Sequence, residues 1–76
     1  MQKLPNLSGA EVIKILKNFG FLPLRQKGSH VVLEKILFSE EIHCVVPLHT
    51  ELKKGTLSGI LRQAKIEKED FLKANR

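Results

Sequence analysis

Apolar residues change their period along this chain, and the changes mark its elements. Val12, Ile13, Leu16 and Phe19 fall at i, i+1, i+4 and i+7 on one face of an α-helix, while Lys14 and Lys17 leave that face. Ahead of them, Ser8-Gly9-Ala10-Glu11 has the spacing of a capping box, in which the serine hydroxyl accepts a first-turn amide and the glutamate reaches back. Gly20 stands where a left-handed stop belongs. The pattern predicts a helix over residues 9–19.

From Phe21 the period drops to two. Leu22 and Leu24 alternate with Pro23 and Arg25 in a first strand over 21–27, and Pro23, having no amide donor, places that strand at a sheet edge or marks its start. Gly28 supplies a turn, and the β-branched run over 31–38, interrupted by Glu34 and Lys35, is a second strand. Ser39-Glu40-Glu41 turns the chain into a third strand over 42–46, ended by Pro47, and the short connections make an antiparallel meander. Residues 47–55 read as the one long loop, polar and irregular, with His49, Glu51, Lys53 and Lys54. Thr56 is placed as the N-cap of a second helix, whose Leu57, Ile60, Leu61 and Ala64 repeat at i, i+3, i+4 and i+7 while Arg62 and Lys65 point elsewhere. A short third helix over 67–74 has only Phe71 and Leu72 as anchors and is expected to fray.

Helix, three-stranded antiparallel sheet, helix and short C-terminal helix is an α+β order, in which two amphipathic helices cover one sheet face and leave the other open. A chain of 76 residues has room for one domain, 1–76, with one modest core, which excludes a large enclosed pocket or a separate cofactor domain. Thirteen Lys+Arg against eight Asp+Glu give a net charge of +5, which favours polyanionic partners through phosphate contacts and counterion release. The excess is lopsided: up to Lys35 there are six basic residues (Lys3, Lys14, Lys17, Arg25, Lys27, Lys35) against two acidic (Glu11, Glu34). Cys44, the single cysteine, reads as a buried reduced thiol in a reducing cytosol. The stretch from Met1 to Asn6 lacks a signal-peptide core and no apolar run reaches membrane-spanning length, so a cytoplasmic protein with no membrane association is expected.

The densest chemistry is Arg25-Gln26-Lys27-Gly28-Ser29-His30, two cations, a glycine turn, a hydroxyl and an imidazole in six residues. An imidazole with a pKa of about 6.5 can accept the proton of a ribose 2′-hydroxyl at neutral pH and later return one. Arg25 and Lys27, on one strand face, can neutralise charge that grows on phosphate oxygens; Gly28 lets backbone approach a phosphate closely, and Ser29 can donate a hydrogen bond. Lys53 and Lys54, ahead of the second helix, are further phosphate contacts of the kind double-stranded RNA-binding domains use. His43 reads as a packed or solvent-facing strand residue. His49 either shapes its loop or assists proton transfer. The histidine spacing matches no short zinc ligand pair, and the glutamates are scattered, so neither a metal nor another cofactor is expected. Two function classes fit these residues, a metal-independent endoribonuclease with His30 as general acid/base and a noncatalytic RNA-binding module; a pure protein-interaction domain leaves the basic excess unexplained.

The element order matches that of double-stranded RNA-binding domains. Within it, Arg25-Gln26-Lys27-Gly28-Ser29-His30, Val46-Pro47-Leu48-His49, Lys54-Gly55-Thr56-Leu57 and Ile60-Leu61-Arg62-Gln63-Ala64 together resemble the HicA family of messenger-RNA interferase toxins, from about Ser8 to Leu72. The resemblance implies a toxin of a type II toxin-antitoxin system, an endoribonuclease that cleaves mRNA, blocks translation and is held inactive by a HicB-type antitoxin. It places the family's catalytic histidine on His30. A monomer when free and a hetero-oligomer with the antitoxin are expected. Two positions depart from the family pattern: Phe21 stands where tryptophan is frequent, and Lys65 stands where a glycine commonly follows Gln-Ala, removing an easy left-handed cap at a cost of about 1 kcal/mol.

Overall fold

The computed structural model describes residues 4–75; Met1, Gln2, Lys3 and Arg76, and with them the ends of the expected 1–76 domain and one of the counted lysines, lie outside the described residues. The element order is α1(Gly9–Lys17), β1(Leu22–Lys27), β2(His30–Ile36), β3(Glu41–Pro47), α2(Lys54–Ala64) and α3(Lys68–Ala74). The fold is the expected α+β, with an antiparallel sheet in the order β1-β2-β3.

α1 begins at the predicted capping box. Glu11 N–H donates to Ser8 Oγ at 3.1 Å, and Ser8 N–H donates to Glu11 Oε1 at 2.9 Å. The bond from the Ser8 backbone, with its hydroxyl second, holds the Glu11 carboxyl below its usual range. The buried stripe is Val12, Ile15 and Leu16, with Ile13 and Phe19 half-buried, so the inner face is turned toward Ile15 and away from Ile13 relative to the predicted Val12, Ile13, Leu16 and Phe19. The helix closes at Lys17, two residues before the predicted end. Gly20, at φ +92°, donates to Lys17 O, and Phe21 N–H donates to Leu16 O, the bond pattern of a Schellman stop.

Helices lie on one side of the sheet. Val31 and Leu33 of β2 and Ile42, Cys44 and Val46 of β3 meet Val12, Leu16, Leu57, Ile60, Leu61 and Phe71 in one connected core. Burial pushes the Cys44 thiol up to about 11, which keeps it protonated and inert at neutral pH. β1 contributes nothing to this core: all six of its residues are exposed. Leu22 and Leu24, whose alternation points inward in the sequence, face solvent, and Phe21, one residue earlier, is buried in their place. An edge strand beyond the reach of the helices explains the difference.

Two further boundaries move, and the third helix is held. β2 stops at Ile36 rather than Phe38, because Leu37 N–H donates to Glu40 O at 2.8 Å and closes a tight turn over Phe38 and Ser39. α2 starts at Lys54, with Lys53 rather than Thr56 at its N-cap, and Leu57 N–H already donates to Lys53 O. The buried Leu52, whose N–H donates to Leu7 O, anchors the chain early and sets that start. α3 is pinned rather than frayed, since Phe71 is 0% exposed in the shared core.

The two sheet edges are handled differently. On β3, Gln63 Oε1 from α2 accepts the outward Val45 N–H at 3.1 Å. On β1, Pro23 removes a donor and a bulge breaks the edge between Pro23 and Arg25.

Candidate functional site

The β1-β2 register decides which side chains meet. Leu22 pairs with Glu34 and Pro23 with Leu33, but Val32 then pairs with Arg25, leaving Leu24 as the extra residue. Directly opposed residues share a face. The hairpin register places Arg25 and Lys27 on the side of the sheet away from the helices, and the slip upstream of them brings Leu22 to the same side. His30 occupies the same side on the central strand, between Lys27 on β1 and Pro47 on β3. Opposed Cβ atoms of an antiparallel pair stand about 4.5–5.5 Å apart, so one imidazole and two cations converge on an open surface.

Gly28 and Ser29 form the two-residue link between Lys27 and His30. Gly28 lies at φ +60° and Ser29 outside the left-handed region, the pattern of a II′ hairpin turn. A Cβ on Gly28 meets nothing within 4 Å, so the glycine is required for its backbone angle, not for space. Gln26 Nε2 donates to Gly28 O at 2.9 Å, and Leu48 N–H donates to Ser29 O at 2.6 Å, fastening the turn on both sides. Sequence reasoning assigned no role to Gln26 or to the Leu48 amide; a glutamine two residues before a hairpin glycine is the one local signal that was present.

The chain behind the turn is held by an unusually close approach. Gly9 N–H donates to His49 O at 2.9 Å, and an added Cβ on Gly9 would lie 2.0 Å from Pro47 O. No side chain fits there. The start of α1, the end of β3 and the Gly28-Ser29 turn are thus locked at one end of the molecule, and His49 takes part through its carbonyl while its ring stays exposed. Lys53 and Lys54 begin α2 from the loop that leaves this end; no side chain caps the helix and no acidic residue sits in its first turn. The unpaired amides and the two lysines give that helix start a positive potential.

Further along the same open face, β2 and β3 gather residues that are scattered in sequence. Glu34 pairs with His43, Glu34 Oε2 lies 3.0 Å from His43 Nε2, and Glu41 brings a carboxylate so that the three ligand-capable atoms lie within 4.8 Å of one another. The direct His43–Glu34 contact accounts for two of the three without an ion. His43 is thus a solvent-facing strand residue with a carboxylate partner.

Comparison with known proteins gives the surface a context. The family model described as HicA toxin of bacterial toxin-antitoxin matches residues 9–66, from the first residue of α1 to just past α2. The match covers more than half of the chain, which therefore belongs to the HicA toxin family, the toxin partners of antitoxins in toxin-antitoxin systems. No curated protein matches the chain. Lys65, where the resemblance misses a glycine, sits at φ +58°, the one left-handed residue other than glycine among those described. No helix among the described residues is long and apolar enough to cross a membrane.

Proposed function

We propose that the chain is a metal-independent endoribonuclease acting on mRNA, with His30 as general acid/base. The observation that carries the reading is the β1-β2 register, Lys27 opposite His30 and Arg25 opposite Val32, which sets both cations on the open face beside the imidazole. In this mechanism the RNA supplies its own nucleophile. His30 takes the proton of a 2′-hydroxyl, the 2′-oxygen attacks the adjacent phosphorus, and the bond to the 5′-oxygen breaks as that oxygen receives a proton. Arg25 and Lys27 neutralise charge on the non-bridging oxygens, the Gly28 backbone lets phosphate approach, and Ser29 donates to it. Lys53 and Lys54 hold a neighbouring phosphate at the start of α2. The single domain works in the cytoplasm, a monomer when free, until a HicB-type antitoxin binds it and a hetero-oligomer forms.

A second reading, a noncatalytic RNA-binding module, draws on the uncapped, lysine-bearing start of α2. One assay separates the two. Purified protein with EDTA should cleave RNA, His30→Ala should lose activity while still binding, and RNA with 2′-deoxy at the cut site should resist. Normal cleavage by His30→Ala, or equal cutting of 2′-deoxy substrate, sinks the mechanism. Loss of cleavage in EDTA that Mg²⁺ or Zn²⁺ restores would move attention to Glu34, Glu41 and His43. Binding without cleavage by either protein leaves the module.

A further inference from the structure

The open face changes character along its strands. At the β1-β2 turn it is cationic, with Lys27, Arg25 and His30; toward the opposite end the Glu34–His43 pair and Glu41 lie among exposed apolar side chains, Leu22 (65% exposed), Ile36 (71%) and, at the turn beyond, Phe38 (107%). The chain has four phenylalanines, of which Phe21 and Phe71 are fully buried and Phe19 is half-buried. Phe38 is the exception. Its turn is closed by Leu37 N–H donating to Glu40 O, and Glu40 Oε2 lies 3.2 Å from Lys65 Nζ on the far side of the sheet, an exposed pair. A fully exposed aromatic ring adjoining exposed Ile36 and Leu37, with Glu40 and Glu41 beside it instead of cations, suits a protein contact better than an RNA strand, whose phosphates those carboxylates repel.

We infer that the antitoxin anchors on this apolar end, taking Phe38 and Ile36 into an apolar pocket, while its carboxylates meet Arg25 and Lys27 along the same face. The inference rests on the antitoxin partner that family membership brings and on the proposed placement of RNA at the cationic end. Two observations select this occupant. The two ends lie on one face, joined through Val32 and the exposed Val45, so one partner laid along the strands covers both. The chain also carries a net +5, which an acidic partner complements and which opposes stacking of two copies face to face. Capture is then driven by charge at one end and retention by buried apolar anchors at the other. The cationic end is shared between RNA and antitoxin; the Phe38 end belongs to the antitoxin alone.

The separation makes the inference testable. Phe38→Asp and Ile36→Thr alter exposed side chains and should leave the circular dichroism spectrum and RNA binding as in the unaltered chain. Affinity for the purified antitoxin encoded by the neighbouring reading frame, measured by calorimetry, should fall on the order of 30-fold or more, the range of an anchor residue. Cells expressing Phe38→Asp should stay arrested when that antitoxin is co-expressed. Binding within threefold of the unaltered chain, no binding of that antitoxin by the unaltered chain, or a concentration-dependent dimer abolished by Phe38→Asp would each overturn the inference, the last in favour of a second copy as occupant. The calorimetry does not depend on RNA cleavage. An inactive nuclease reading with intact Phe38-dependent binding is therefore distinguishable from the reverse.

Discussion

The two hairpin turns of the sheet sit at opposite ends of β2 and share a construction, two residues between opposed strand ends, Gly28-Ser29 on one side and Phe38-Ser39 on the other. Their contents differ in every other respect. The first needs a left-handed glycine, is fastened by Gln26 and Leu48, and presents cations and an imidazole. The second needs no left-handed residue, is tied by one exposed ion pair, and presents an aromatic ring. Backbone demands accumulate where the chemistry is proposed, and free side-chain surface accumulates where it is not. A small sheet can in this way dedicate one end to a reaction and the other to recognition.

The contrast can be broken by mutation, most strongly at His30. His30→Ala should lower RNA cleavage by roughly 100- to 10,000-fold, read from initial rates on a labelled oligonucleotide, with affinity for uncleavable RNA little changed. An equal loss from Phe38→Ala would erase the division of labour. Gly9→Ala comes next: with Pro47 O in the way, the start of α1 or the end of β3 must shift, and urea unfolding should show a loss of about 1–3 kcal/mol. Gly28→Ala has room for its methyl group and suffers only from the backbone angle, so about 1–2 kcal/mol should be lost. Lys65→Gly relieves a left-handed lysine but cuts the tie to Glu40; a net gain of up to about 1 kcal/mol is expected, since exposed ion pairs contribute little. Phe38→Ala should alter stability by less than about 0.5 kcal/mol, because the ring touches no core.

Much of this was legible in the chain. The capping box at Ser8, the stop at Gly20, the meander and the left-handed position at Lys65 all rest on local rules or on a family pattern, and all reappear in the structure. The misses share a cause: each depends on contacts between residues distant in sequence. Leu22 and Leu24 alternate like inward residues, yet no helix reaches β1. Phe71 looked like a weak anchor until the core it enters was assembled. Thr56 has the chemistry of a cap, but the burial of Leu52 starts α2 earlier. At the candidate site, Arg25, Lys27 and His30 could be grouped from sequence, while the bulge that brings Leu22 to their face could not, because nothing at Leu24 announces an extra residue. The gathering of Glu34, Glu41 and His43 was hidden for a related reason: it follows from the β2-β3 register, which turns on Phe38 and Ser39 rather than on Ser39-Glu40-Glu41.

The sequential β1-β2-β3 order has a consequence in time as well as in space. Neighbours in the sheet are neighbours in the chain, and such local pairing folds fast, on the order of milliseconds for a domain of this kind. Ribosomes add only roughly 5–20 residues per second. The last large core residue is Phe71, and once it has been made, the remaining step is about a thousandfold quicker than the synthesis that preceded it. A toxin built this way has almost no latent period. Slow maturation of this domain gives the cell that makes it no protection.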